Sequence, residues 1–208
     1  MPEPLAPNRK RVRGFTLIEV LVVVSILGII LGLAIPNLQD FVRRNTVSSI
    51  ANGFYAGITQ ARTEAITRNT CVSICQSDST QNAISGGTVS CVTTGPNNWL
   101  RGWVIVTNPS CDSGDTNPAD TSNLLKPGVE ILRVNQPLSD GYEILDASGG
   151  ADRRIMFDAR GLIPGINATS NLTLRPFDTS IDDIYRRQIC ISSSGRVTIR
   201  KYLGGGCT

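Results

Sequence analysis

The sequence predicts an α+β protein, a long N-terminal helix packed on an antiparallel β domain. Three observations lead there. An apolar run from Phe15 to Ile35 is interrupted only by Thr16, Glu19 and Ser25 among clearly polar side chains. Apolar residues then recur at three- and four-residue steps as far as Ala65, the period of one helix face. Beyond Asn69 the period changes to two, in a chain rich in Gly, Ser, Thr, Asn and Pro and poor in aromatics, which suits short strands joined by turns.

The first element is a polar leader, residues 1–14, with Arg9, Lys10, Arg11 and Arg13 opposed only by Glu3. The apolar helix that follows, residues 15–36, spans ~30 Å at 1.5 Å per residue, the thickness of a bilayer core. Basic residues ahead of such a span stay in the cytoplasm. An ordinary secretory signal is cut after its apolar stretch at a small-x-small sequence. Here the stretch ends Ala34-Ile35-Pro36-Asn37, whereas a cut at Gly14 leaves the membrane segment on the mature protein. A carboxylate at Glu19 costs a few kcal/mol in a lipid-buried helix, so it needs a cationic partner.

The helix continues as an amphipathic segment, residues 37–69. Leu38, Phe41, Val42, Val47, Ile50, Phe54, Ile58, Ala61 and Ala65 mark one apolar face, and Arg43, Arg44, Gln60, Arg62, Glu64 and Arg68 the other. Pro36 is expected to kink or locally melt the helix. Gly53 and Gly57 read either as a close-packing pair or as incidental weak points. Asn69 is the expected terminator.

Residues 70–208 form the β domain. Expected strands are Cys71–Cys75, Val89–Thr93, Trp99–Thr107 (the strongest), Glu130–Asn135, Tyr142–Leu145, Arg154–Asp158, Asn171–Arg175, Arg187–Ser192 and Arg196–Tyr202. In the Trp99–Thr107 segment, Trp103, Ile105 and Thr107 alternate with Val104 and Val106. Asn108–Lys126 is polar and reads as a long loop.

Composition excludes several functions. Histidine is absent, which removes Ser-His-Asp and Cys-His nucleophiles and His-containing zinc sites. The six cysteines include no CxxC pair and face an oxidising compartment, so disulfides are expected and no metal. Asp112, Asp115 and Asp120 lack EF-hand spacing and read as a solvated loop. Nothing in the spacing of Asp152, Asp158, Asp182 and Asp183 selects a catalytic pair, so neither an enzyme nor a cofactor is expected. Asn167-Ala-Thr and Asn171-Leu-Thr fit a glycosylation sequon. A net charge of +3 gives no global basic field, so any anion binding is local.

Gly14-Phe15-Thr16-Leu17-Ile18-Glu19-Val20 resembles the prepilin signature of type IV pilins and type II secretion pseudopilins. The resemblance implies that a prepilin peptidase cuts between Gly14 and Phe15 and methylates Phe15, and that Glu19 becomes the fifth mature residue. The freed α-amine of a neighbouring subunit then supplies the cation that Glu19 needs. The likeness sharpens toward the GspH/FimT group of minor pilins and pseudopilins. It is carried by Gln60-Ala61-Arg62-Thr63-Glu64-Ala65, by Cys71–Cys75 followed by Gln76-Ser77-Asp78, and by Gly102-Trp103. Phe157-Asp158-Ala159-Arg160-Gly161 and Ser194-Gly195-Arg196-Val197 complete it. It implies a pilin-like lollipop.

In look-alikes a Cys pair brackets the loop after the first strand, which favours Cys75–Cys91. Cys190 and Cys207 bracket the final two strands, and that leaves Cys71–Cys111, although six cysteines allow fifteen connectivities. Some FimT-type proteins are DNA receptors with a Gly-Arg-x-Arg tail. Here Gly195-Arg196-Val197-Thr198 departs from it, with Arg200 two residues later. Arg196, Thr198, Arg200 and Tyr202 alternate onto one face beside Lys201 and Gly204-Gly205-Gly206, a possible grip on phosphates and a base.

The sequence thus reads as a minor pilin, made in the bacterial inner membrane with its C-terminal domain in the periplasm and then inserted into a pilus or pseudopilus. Its expected partners are prepilin peptidase, other major and minor pilins, and the inner membrane. Alternatives are a DNA-binding pilin for natural transformation, a type II secretion pseudopilin, and a membrane-anchored periplasmic binding module that never polymerises.

Overall fold

A computed structural model describes residues 14–78, 80, 91–92, 98–111, 128–138, 141–146, 153–164, 170–176, 185–204 and 206–207. The chain falls into two compact units, Met1–Val42 and Arg43–Thr208. One helix, α1 (Leu17–Arg68), begins in the first and ends in the second.

Both ends of α1 have identifiable stops. Thr16 is the N-cap: its Oγ1 accepts from the Glu19 amide at 3.2 Å and its carbonyl accepts from Val20 at 3.3 Å. Thr-x-x-Glu is the spacing of a capping box. At the other end Asn69 takes φ 50°. The Thr70 amide donates to Ala65 O and the Asn69 amide to Ile66 O, a complete Schellman motif. Asn is the side chain that most readily replaces Gly in that left-handed position. The helix runs through Pro36 without interruption, so the expected local melting does not occur.

Among the described residues the second unit holds eight strands in two antiparallel sheets. Sheet one contains β1 (Val72–Gln76), β2 (Trp103–Thr107), β3 (Ile131–Asn135) and β5 (Arg154–Phe157), in the order β3-β2-β1-β5. Sheet two contains β4 (Tyr142–Asp146), β6 (Ser170–Pro176), β7 (Arg187–Ile191) and β8 (Val197–Lys201), in the order β4-β6-β7-β8. Buried Asn98 ties them together: its Oδ1 accepts from Leu100 N at 3.0 Å and from Ile144 N on β4 at 3.1 Å.

Two expected strands change. The Trp99–Thr107 segment is not one strand: Trp99–Arg101 is a 3-10 turn capped by Asn98, and the strand starts at Trp103. Gly102 breaks it with φ 124°, and a Cβ there would meet Ser77 O and the Thr80 side chain. Of Val89–Thr93, only Cys91 and Val92 lie among the described residues, and neither is in a strand. The expected loop beyond Cys111 lies outside them as far as Lys126.

The buried helix face begins at Val47 and continues through Ile50, Ala51, Phe54, Ile58, Ala61 and Ala65. It shares one core with Ile74, Trp103, Ile105 and Phe157 of sheet one and Ile144, Leu172, Leu174 and Ile189 of sheet two. Leu38, Phe41 and Val42, expected on the same face, are exposed. Phe54 lies at the centre, edge-on to Trp99 at 5.2 Å and to Trp103 at 6.2 Å. Sheet one is covered on its other face as well: Val104 and Val106 pack with Cys75, Cys91, Val129, Ile131 and Val134. That is why all five residues of β2 are buried although its side chains alternate.

The two helical glycines are not equivalent. A Cβ at Gly57 would collide with the Trp103 ring, at 2.8 Å from Cζ2, whereas Gly53 faces open space. Gly57→Ala is therefore expected to destabilise the fold by about 1–2 kcal/mol, overpacking outweighing the gain in helix propensity. Gly53→Ala is expected to stabilise it by up to ~1 kcal/mol. Denaturant midpoints of the two variants check the opposite signs.

Candidate functional site

Three surfaces merit comparison, beginning with the first turns of α1. Gly14 and Phe15 precede the helix and are exposed, Phe15 at 83%. Leu17, Ile18, Val20–Val24, Ile26, Leu27 and Ile29–Leu31 are all exposed too. Glu19 is exposed in the first turn, where the helix dipole favours a negative charge. Thr16 is a local contributor that the sequence analysis left unassigned, although the Thr-x-x-Glu spacing signals it. Pro36 lies within the helix. Among the described residues no helix is long and apolar enough to cross a membrane; the expected span rests on the sequence, including residues 33, 34, 36 and 37, whose side chains lie outside the description.

The second surface is β8, at the edge of sheet two. Register places Cys190 opposite Thr198 and Gln188 opposite Arg200. Val197 and Ile199 pack against the core, so alternation puts Thr198 and Arg200 on the outer face and Lys201 on the other. Arg196 is exposed in the preceding turn, its amide donating to Ser192 Oγ and its carbonyl accepting from Ser192 N. The Tyr202 ring is stacked by Arg186, whose guanidinium carbon lies 5.4 Å from the ring centroid. The structure therefore puts Arg196 in the turn and Arg200 on the outer face of the strand, sets Lys201 on the opposite face and engages one face of Tyr202.

The third is a junction that unites three of the sequence's scattered motifs. Arg62 on α1 donates from Nε to Gly161 O at 3.1 Å. Gly161 and Gly195 have φ of 74° and 73°, and neither has room for a Cβ. At Gly161 it would meet Ile66 Cδ1 and Arg62 Nε; at Gly195 it would meet Gly161 O and Arg62 Nε. The Ile163 amide donates to Ser193 O at 3.0 Å, so the loop after β5 and the β7–β8 turn are bonded beneath one helical arginine. From sequence Arg62 is part of a polar helix face and of a motif that carries the resemblance, with no partner assigned to it.

Asp158 organises that loop. Its Oδ1 accepts from the Arg160 and Leu162 amides, each at 2.9 Å, and its Oδ2 from the Arg160 guanidinium at 3.0 and 3.2 Å. Burial pushes this carboxyl up, but the Leu162 amide and the Arg160 side chain and amide outweigh it and hold it below the ordinary value. A lowered folded-state pKa gives stability that is present above the unfolded value and is lost as pH falls through the folded one. Asp158→Asn keeps the turn acceptor but removes the charge. Its thermal midpoint is expected to fall less than the native chain's as pH drops below about 4, which melting curves from pH 6 to pH 2 check.

Three disulfides join Cys71 to Cys111, Cys75 to Cys91 and Cys190 to Cys207. Asn171 accepts from Gln188 at 2.9 Å within sheet two. Asn167, Gly205, the acidic trio Asp112, Asp115 and Asp120, and Asp152, Asp182 and Asp183 lie outside the described residues.

The sequence matches the family described as Type II transport protein GspH over residues 51–195 and the prokaryotic N-terminal methylation motif over residues 9–35. It is 44% identical over 62 residues to the pilin-like protein PilA1 of Thermus thermophilus, covering 30% of this chain and 38% of that protein. It is 26% identical over 154 residues to a type IV major alpha-pilin of Moraxella bovis, covering 73% of this chain and 96% of the relative. The fold is similar to the type IV minor pilin FimU of Pseudomonas aeruginosa, with TM-score 0.50 and 18% identity over 77% of this chain and 92% of that one. The alignment with the Thermus protein thus spans well under half of that relative's length.

Proposed function

The chain belongs to the GspH family of the type IV pilin class, and from that premise we propose that it is a minor pilin, processed between Gly14 and Phe15 and built into a type IV pilus. The observation that carries this reading is the solvent-exposed apolar surface of α1 from Phe15 to Leu31, with Glu19 in its first turn, in a segment that matches the methylation motif. Such a surface needs a cover of lipid or of like helices. The inner membrane supplies the first, the C-terminal domain lying in the periplasm, and a filament core supplies the second. Within the filament, Glu19 pairs with the α-amine that cleavage frees on a neighbour's Phe15, which fixes the axial register. The β domain then selects its neighbours, at the pilus tip or in an initiating complex.

The mature N-terminus tests the first step. Mass spectrometry of the native chain is expected to find Phe15 first, heavier by one methyl group; a chain that works normally with residues 1–14 attached sinks the reading.

A type II secretion pseudopilin is the second reading, favoured by the family's description as a transport protein. Deleting the gene and scoring piliation against protein secretion separates the two.

A further inference from the structure

The junction under Arg62 carries more than a fastening. Ile66 lies one helical turn beyond Arg62 and is 49% exposed, and Leu162 in the loop beside it is also exposed. The two belong together because Gly161, next to Leu162, comes so close to Ile66 that a Cβ there would sit 2.7 Å from its Cδ1. Arg62, Arg160 and Arg196 belong to the same junction, the last two being chain neighbours of the glycines against which Arg62 lies. Arg160 is 79% exposed at its side chain, and Arg196 is exposed. The group sets three guanidinium ions against one carboxylate, Asp158, whose oxygens already accept four hydrogen bonds within the loop.

We propose that this surface docks a protein segment in which carboxylates flank an apolar side chain, carried by the β domain of a neighbouring filament subunit. The proposal rests on the reading of the chain as a filament subunit. Charge complementarity selects the occupant: exposed arginines and exposed aliphatic side chains share one junction, a combination suited to a segment that offers carboxylates beside an apolar contact. A nucleic acid fits less well. These residues include no aromatic ring on which a base could stack, and their centre is aliphatic. Rigidity adds to the case, since two left-handed glycines and the Ile163–Ser193 hydrogen bond hold the loops in place, so little order is lost on docking.

The test uses the full-length chain in cells that make the filament. A photo-crosslinking benzoylphenylalanine replaces Leu162. The expected product joins the chain to a different filament subunit, at a peptide containing Asp or Glu. Arg160→Glu with Arg196→Glu is expected to cut its yield roughly tenfold, and changing the crosslinked acidic residue to Lys to restore it. Arg196→Glu alone, which leaves the Asp158–Arg160 pair intact, is expected to lower the yield in the same direction. The mature chain in sheared filaments is scored in every sample. A filament-borne chain that crosslinks to nucleic acid, to a second copy of itself or to nothing, or whose crosslink ignores the charge reversals, overturns the docking proposal alone. A native chain absent from filaments overturns the filament reading and this one with it.

Discussion

Glu19→Gln is expected to remove the chain from filaments while leaving it processed and membrane-bound. Breaking a buried ion pair by deleting one partner costs about 3 kcal/mol or more, so incorporation should fall by roughly a hundredfold relative to the native chain. Two roles for Glu19 are separable. Thr16 Oγ1 caps the helix through the Glu19 backbone amide, a bond that glutamine keeps. A purely local role therefore predicts normal incorporation for Glu19→Gln, and a charge role predicts its loss. Glu19→Ala should behave like the glutamine variant. Quantifying the mature chain in filament and membrane fractions decides, and normal incorporation of both variants excludes the ion pair.

Phe54→Ala is expected to lower the stability of the β-domain unit by about 3–5 kcal/mol, the usual cost of emptying a buried phenylalanine site. Phe54 is almost wholly buried, and it meets the edges of both Trp99 and Trp103. Those are the chain's two tryptophans, so their fluorescence reports directly on the site. Denaturant titration of the full chain in detergent checks the figure; a loss below about 1 kcal/mol would show that the core closes over the gap.

How much of this was legible in advance depended on the range of the interaction. The helix terminator at Asn69, the helix face from Val47 to Ala65 and most strand positions follow from spacing within a few residues. The Trp99–Thr107 segment misleads because its apolar content fits a strand, whereas Gly102 and the Asn98 cap turn its first residues into a 3-10 turn. The full burial of β2 was equally out of reach, since the cover over its second face comes from Cys91 and from Val129, Ile131 and Val134, far along the chain.

The candidate surfaces divide the same way. The N-terminal segment is readable because its chemistry lies in consecutive residues, Gly14 to Glu19. The Arg62 junction is not, because its parts come from a helix, a loop after β5 and a hairpin turn. Each part is legible as a separate motif, but nothing in their spacing says that they meet until the chain folds.

The sequence by itself determined the long helix, the change of period after Asn69 and the motif at the N-terminus, since all three are written in neighbouring side chains and in the geometry of one turn or one pleat. Only the tertiary structure decided why Gly57 differs from Gly53, which face of β8 looks outward, and that Arg62 lies against Gly161 and Gly195. Those outcomes depend on distances between segments remote in the chain, which close packing of the two sheets and the helix brings within reach.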